Sequence, residues 1–163
     1  MKVLDNMEMC TGCTACYTAC PQKCITMKKD DAGFLYPSIN EEKCMQCGRC
    51  QAVCPQMQQT GQNTYKKAYY GWHKDETIRR QSSSGGAFTA LAEYFLSQDG
   101  VVYGTSFDYE KKCLIYTNTK QVSLDELRKS KYVQGELNNV IAQIEEDLKQ
   151  GKKVLFVGTP CHV

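Results

Sequence analysis

The chain has 163 residues, eleven of them cysteine, and a formal charge of +2 that counts every thiol as neutral. That length has room for one domain, or for a small domain and part of a second. No apolar run approaches the roughly 18 residues of a membrane-spanning helix, and Met1–Asn6 lacks the apolar stretch of a secretory leader. The expectation is a cytoplasmic protein in a reducing compartment, with no membrane span.

From Cys10 onward one pattern dominates. Cys10, Cys13, Cys16 and Cys20-Pro21 follow the spacing C-x2-C-x2-C-x3-C-P, and Cys44, Cys47, Cys50 and Cys54-Pro55 repeat it 34 residues later. Bacterial-type ferredoxins hold [4Fe–4S] clusters on this spacing. Three close thiolates wrap one face of a cluster, and the fourth, turned away by its proline, reaches the other cluster in two-cluster ferredoxins. One cluster is then expected on Cys10, Cys13, Cys16 and Cys54, and the other on Cys44, Cys47, Cys50 and Cys20. Gly12, Ala15, Ala19 and Gly48 between the ligands allow the backbone to fold closely.

Other uses of the cysteines fit less well. Structural zinc usually takes two separated pairs of thiolates, and a disulfide framework needs an oxidising compartment. Two [4Fe–4S] clusters, each carrying about −2 with its thiolates, would take the holo-protein to about −2. Lys28-Lys29, Lys66-Lys67, Lys111-Lys112 and Lys152-Lys153 are scattered, so no nucleic-acid partner is expected.

Residues 1–60 read as one small α+β ferredoxin-like module. Ile25-Thr26-Met27 and Phe34-Leu35-Tyr36 are short strand candidates, with Asp30-Asp31-Ala32-Gly33 as the turn between them. Val3, Leu4, Ile25, Met27, Phe34, Leu35, Ile39 and Val53 are a sparse apolar set, which the clusters would staple. Cys24 lies outside both runs and reads as a small packing residue. The polar stretch from Gln56 to Thr64 reads as a linker.

Residues 65–163 alternate strand and helix patterns, as in an α/β layer. Tyr69-Tyr70-Gly71-Trp72 reads as a strand. Ser82-Ser83-Ser84-Gly85-Gly86 leads into a helix with Phe88, Leu91, Ala92 and Phe95 on one face and Gly100 as its stop. Val101–Gly104 and Leu114–Tyr116 follow as strands, and Ser123 and Glu126 form a capping box. Residues 136–150 place Leu137, Val140, Ile141, Ile144 and Leu148 on one helical stripe that Gly151 ends. Val154–Val157 is continuously apolar, as in a strand buried on both faces. The chain stops at Val163, just past that strand, before any neighbour that would cover it, so a fragment of a longer protein is expected.

The Ser/Gly helix start can offer free N–H groups to an anion, although an ordinary capped helix explains it equally well. Gly158-Thr159-Pro160-Cys161 follows the carboxyl end of a strand, where open α/β sheets keep ligand crevices. His73 and His162 stand near no recognisable carboxylate or nucleophile pattern, and no acid–base role is assigned to them.

Taken in order, the two cysteine runs, Ser83-Ser84-Gly85-Gly86-Ala87, Ser130-Lys131-Tyr132-Val133-Gln134 and Gly158-Thr159-Pro160-Cys161 resemble the coenzyme F420 hydrogenase/dehydrogenase beta-subunit family of iron–sulfur flavoproteins. The resemblance implies electron transfer between two [4Fe–4S] clusters and FAD, and onward to F420 or another small-molecule acceptor. It also implies a redox partner protein or subunit. Carried over by motif, Ser83, Ser84, Gly85, Gly86, Lys131, Tyr132, Gln134, Gly158, Thr159 and Cys161 become candidates to line the flavin site. The family continues well beyond the Gly-Thr-Pro-Cys turn. The expectation is therefore an oxidoreductase with a two-cluster module at 1–60 and the N-terminal part of an α/β flavin domain at 65–163. The rival is an electron carrier without flavin chemistry.

Overall fold

The computed structural model describes residues 2–58, 66–137 and 139–163. Residues 59–64 of the expected linker lie outside them. The chain divides into two compact units, Met1–Tyr65 with Pro160–His162, and Lys66–Thr159 with Val163. No described helix is long and apolar enough to cross a membrane.

In the first unit the short helices α1 (Ala15–Ala19) and α2 (Arg49–Ala52) each begin inside a cysteine run. Between the runs, β1 (Ile25–Lys29) and β2 (Leu35–Ile39) form an antiparallel hairpin in the register Ile25↔Ile39 to Lys29↔Leu35. Its turn is built by Asp30, whose carboxylate accepts the N–H groups of Ala32 at 3.0 Å and Phe34 at 2.8 Å. Gly33, at φ +87°, supplies the left-handed step. Pro37 faces Met27 in the ladder, a position open to proline because the sheet has only two strands. Buried Cys16, Cys24, Cys50 and Cys54 share the core with Val3, Leu4 and Ile25, while Phe34 and Val53 of the expected apolar set are exposed.

Among its described residues the second unit is a four-stranded sheet in the order β5-β4-β3-β6. The strands are β3 (Val101–Asp108), β4 (Cys113–Asn118), β5 (Gly135–Glu136) and β6 (Val154–Phe156). β3 runs antiparallel to β4 and parallel to β6, and β5 is parallel to β4. Helices cover both faces. α6 (Val140–Lys149) packs on Val101, Tyr103 and Tyr116, and α4 (Ala87–Leu96) with α5 (Leu124–Leu127) packs on Val102 and Leu155.

Several expectations are corrected here. The strand covered on both faces is β3, whose Val102 and Tyr103 are 0% exposed. Of the Val154–Val157 run, Val154–Phe156 forms β6, which is half-buried and, among the described residues, pairs with β3 alone. Tyr69, Tyr70 and Trp72 make no strand and are exposed. Trp72 carries the Arg79 guanidinium 6.0 Å from its ring.

Leu91 and Leu148 point outward. On α6 the inward position near the helix end belongs to Asp147. Its carboxylate accepts the Tyr103 hydroxyl at 2.6 Å and is paired with Lys120. The helix expected over 136–150 starts only at Val140, since Glu136 is taken into β5. The capping box of Ser123 and Glu126 and the stop at Gly151, φ +76°, stand as read. A helix not foreseen, α3 (Glu76–Gln81), is capped by Asp75, whose carboxylate accepts from Thr77 and Ile78.

Candidate metal centre

The two cysteine runs share one backbone device. Gly12 and Gln46, at equivalent places in the repeat, have φ +65° and +53°, and Thr14 and Gly48, again equivalent, have φ +61° and +73°. Two left-handed residues in each run bend the chain around its thiols. Only one of each pair is glycine, so residue type alone does not reveal the device. N–H groups turn onto sulfur as a result. Cys10 receives Gly12, Cys16 receives Tyr17, and Cys50 receives Gln51 and its own N–H.

The thiols border two cavities, and each cavity draws on both runs. Cys10, Cys13, Cys16 and Cys54 line the first, a partly open space of about 320 Å³ closed by Val3, Leu4, Met27 and Pro37. Cys44, Cys47, Cys50 and Cys20 line the second, about 330 Å³, with Ile25 and Ile39 behind them. Among the described residues, no three His, Cys, Asp or Glu side chains converge on a single-ion site; the thiols surround a volume.

Electrostatics follow the same grouping. Burial pushes the Cys16 thiol up to about 12, and the charges of Cys13, Cys10 and Cys54 add to the rise. Cys10 is raised by burial and then by Cys13 and Cys54. Cys50 is raised by burial and then by Cys44 and Cys47. Burial works against the thiolate of Cys20 as well. There the N–H and thiol of Cys24 and the N–H groups of Gln22 and Lys23 outweigh it and hold its pKa below the ordinary thiol value.

Cys24 packs in the core as read, and it also borders a cavity. It is buried, lines the second cavity, and stands with its sulfur 3.5 Å from that of Cys20. Sequence reasoning missed this because position 24 lies outside the repeat. The signal available was its place four residues after Cys20, immediately before β1.

The residues assigned to a flavin by motif are partly brought together. Ser83 Oγ accepts the N–H of Ser130 at 2.8 Å, and Arg128 donates to Thr89 and Gln81. Lys131 donates its ammonium to the carbonyls of Glu126 and Arg128, and burial holds its pKa below the usual lysine range. Tyr132 is 94% exposed.

Gly85 and Gly86 are explained by packing within the chain. A Cβ at Gly85 would meet the Gly71 carbonyl oxygen at 2.5 Å, and one at Gly86 would meet the His73 side chain at 3.0 Å. At Gly158 a Cβ would meet the Phe156 ring at 2.8 Å. Gly158 and Thr159 belong to the second unit, whereas Cys161 is grouped with the first. His73 does have a carboxylate near it, since α4 brings Glu93 to 3.8 Å.

Two thiol-lined cavities, N–H groups turned onto sulfur and a core built around cysteine fit [4Fe–4S] clusters in donor chemistry, and define an iron–sulfur protein of ferredoxin type. Comparison with protein families agrees. Residues 9–57 match a 4Fe-4S dicluster domain, and residues 41–101 match a second 4Fe-4S dicluster model. The second match includes Cys44, Cys47, Cys50 and Cys54 and no other cysteine. It therefore overlaps the first and adds no further cysteine run. A comparison with curated proteins gives no significant match.

Proposed function

We propose that this chain relays single electrons through two [4Fe–4S] clusters, one held by Cys10, Cys13, Cys16 and Cys54 and the other by Cys44, Cys47, Cys50 and Cys20. The carrying observation is that each cavity is lined by three cysteines of one run and the last of the other. Such clusters, when bound, exchange one electron at a time at potentials set by their surroundings. The chain contributes the thiolates, the N–H groups that stabilise charge on sulfur, and apolar walls that limit water. Cys47 is the exposed cysteine of the second cavity, which makes that side the natural face toward a redox partner. Anaerobically prepared protein should contain about eight iron and eight sulfide per chain; about four of each, or zinc in their place, would overturn the reading.

A flavin-linked oxidoreductase acting on F420 or another acceptor is the finer reading, and a topological observation favours it. α4 turns directly into β3 through the Gly100 N–H, which donates to Phe95 O at 2.9 Å, so the Ser83–Gly86 start lies toward the carboxyl end of β3. β6 is parallel to β3, which carries Gly158 to the same end. β5 pairs Gly135 with Leu114, itself opposite Phe107, and so brings Lys131 and Gln134 there too. Sheet ends of this kind bind cofactors. A visible spectrum of the anaerobic protein decides. Flavin bands beside the cluster absorption support the oxidoreductase, and cluster absorption alone supports an electron carrier.

A further inference from the structure

The second cavity has one thiol more than a [4Fe–4S] cluster requires. Beside Cys20, Cys44, Cys47 and Cys50 it is lined by Cys24, while the first cavity is lined by four cysteines only. The backbone makes this a fixed arrangement. Lys23 takes a left-handed φ of +47° and donates its N–H to Cys20 O at 3.2 Å, folding residue 24 back over residue 20. The N–H of Asn40 then ties Cys24 O at 2.8 Å to the far end of the hairpin. The sulfurs of Cys20 and Cys24 are 3.5 Å apart, and Cys44 lies within hydrogen-bonding reach of Cys24 as well. Two thiolates on one tetrahedral metal, each about 2.3 Å from it, stand about 3.8 Å apart. The observed spacing is therefore one at which either sulfur reaches the same metal position with only a small side-chain rotation.

We propose that Cys24 is a reserve ligand of the second cluster, able to take the iron that Cys20 holds. The proposal rests on the crossed assignment of Cys20 to that cluster. Cys20 is the resident ligand because it ends the repeat and receives the N–H groups of Gln22, Lys23 and Cys24. In the exchange the iron–sulfur bond to Cys20 breaks and that sulfur takes up a proton. The Cys24 thiol gives up its proton and bonds to the same iron. No electron moves, and the iron keeps four sulfur neighbours. The first cluster has no such spare and serves as the internal control.

Iron content and EPR of the reduced protein, prepared anaerobically from the full chain, test this. Cys20→Ala should keep about eight iron, with an altered signal from one cluster only. The pair Cys20→Ala with Cys24→Ala should fall to about four, as should Cys54→Ala alone, and Cys24→Ala alone should keep about eight. Three results would overturn the proposal: about four iron in Cys20→Ala with Cys24 present, about eight in the double variant, or a Cys20→Ala chain that does not fold where Cys54→Ala does. The crossed assignment fails separately, through a wild-type chain with about four iron, or through a Cys54→Ala change in the signal of the cluster on Cys44, Cys47 and Cys50.

Discussion

Cys20 shares its cavity with Cys44, although Cys16 is its nearest cysteine within its own run. α1 separates the two: Cys16 lies inside the helix, and Cys20 caps its far end in extended backbone at φ −74°, ψ 111°. Cys54 likewise lies beyond α2, one residue past its cap Val53, and joins Cys10.

Crossing of this kind makes a prediction about pairs of substitutions. On the proposed assignment Cys10→Ala and Cys54→Ala each remove a ligand of the first cluster, so the two together should lose no more iron than either alone, about four of eight. Cys54→Ala with Cys47→Ala should lose nearly all. Without crossing, the first pair would empty both sites and the second would empty one, so iron analysis of the four variants separates the two arrangements.

Gly48 tests the left-handed bends. Its φ is +73°, yet a Cβ there would meet nothing within 4 Å. Gly48→Ala should therefore cost only the backbone strain, about 1 kcal/mol. Thr14 already bears this at the equivalent position of the first run. The expected result is a lower denaturation midpoint with iron content unchanged. Loss of one cluster would show that the glycine is needed for more than its φ.

Gly85 predicts the opposite balance. Its backbone has no positive φ, but an added Cβ would stand 2.5 Å from Gly71 O, beside the bond in which the His73 N–H donates to Gly85 O at 2.6 Å. Gly85→Ala must push this crossing apart and should destabilise the second unit by about 1–3 kcal/mol. Near-UV circular dichroism should record it as earlier loss of the aromatic signal, with about eight iron still bound. A variant as stable as the parent would mean that the segment at residue 71 is free to move.

The parts of the molecule legible in the sequence are those fixed by short-range chemistry. The spacing of Cys10 to Cys20 and of Cys44 to Cys54, the Asp30–Gly33 turn, the Ser123–Glu126 box and the Gly151 stop each depend on neighbours a few residues away, and each could be read directly. Sheet order was not legible. An apolar run such as Val154–Val157 has the same composition at an edge as in the middle, and only pairing with β3 fixes its place. Polar groups buried by long-range partners were equally hidden. Leu148 completes an apolar stripe on paper, yet the inward position goes to Asp147 because Tyr103 and Lys120 wait there. Cys24 escaped for a similar reason, as its meaning depends on Cys20 and Cys44 closing around it.

Asp147 yields a pH prediction. It is 3% exposed, and burial alone would raise its pKa. The Lys120 ammonium and the Tyr103 hydroxyl outweigh that, with Lys152 4.0 Å away, and hold the carboxyl below the ordinary carboxylate value. Tyr103 is raised in turn, by burial and then by Asp147. A carboxyl depressed in the folded state binds protons more readily when unfolded. Its contribution is therefore present above the unfolded pKa of about 3.9 and is lost as pH falls through the lower folded value. Asp147→Asn keeps the shape and removes the charge. It should lower stability near neutral pH and flatten the acid limb of the stability curve, so that parent and variant converge at low pH. Asp147→Ala also leaves the Tyr103 hydroxyl without its acceptor inside the core and should cost more, about 3 kcal/mol. Urea titrations followed by the tyrosine near-UV signal at neutral and acid pH would measure both. A constant gap between parent and Asp147→Asn across that range would show that the ionised carboxylate adds nothing to the fold.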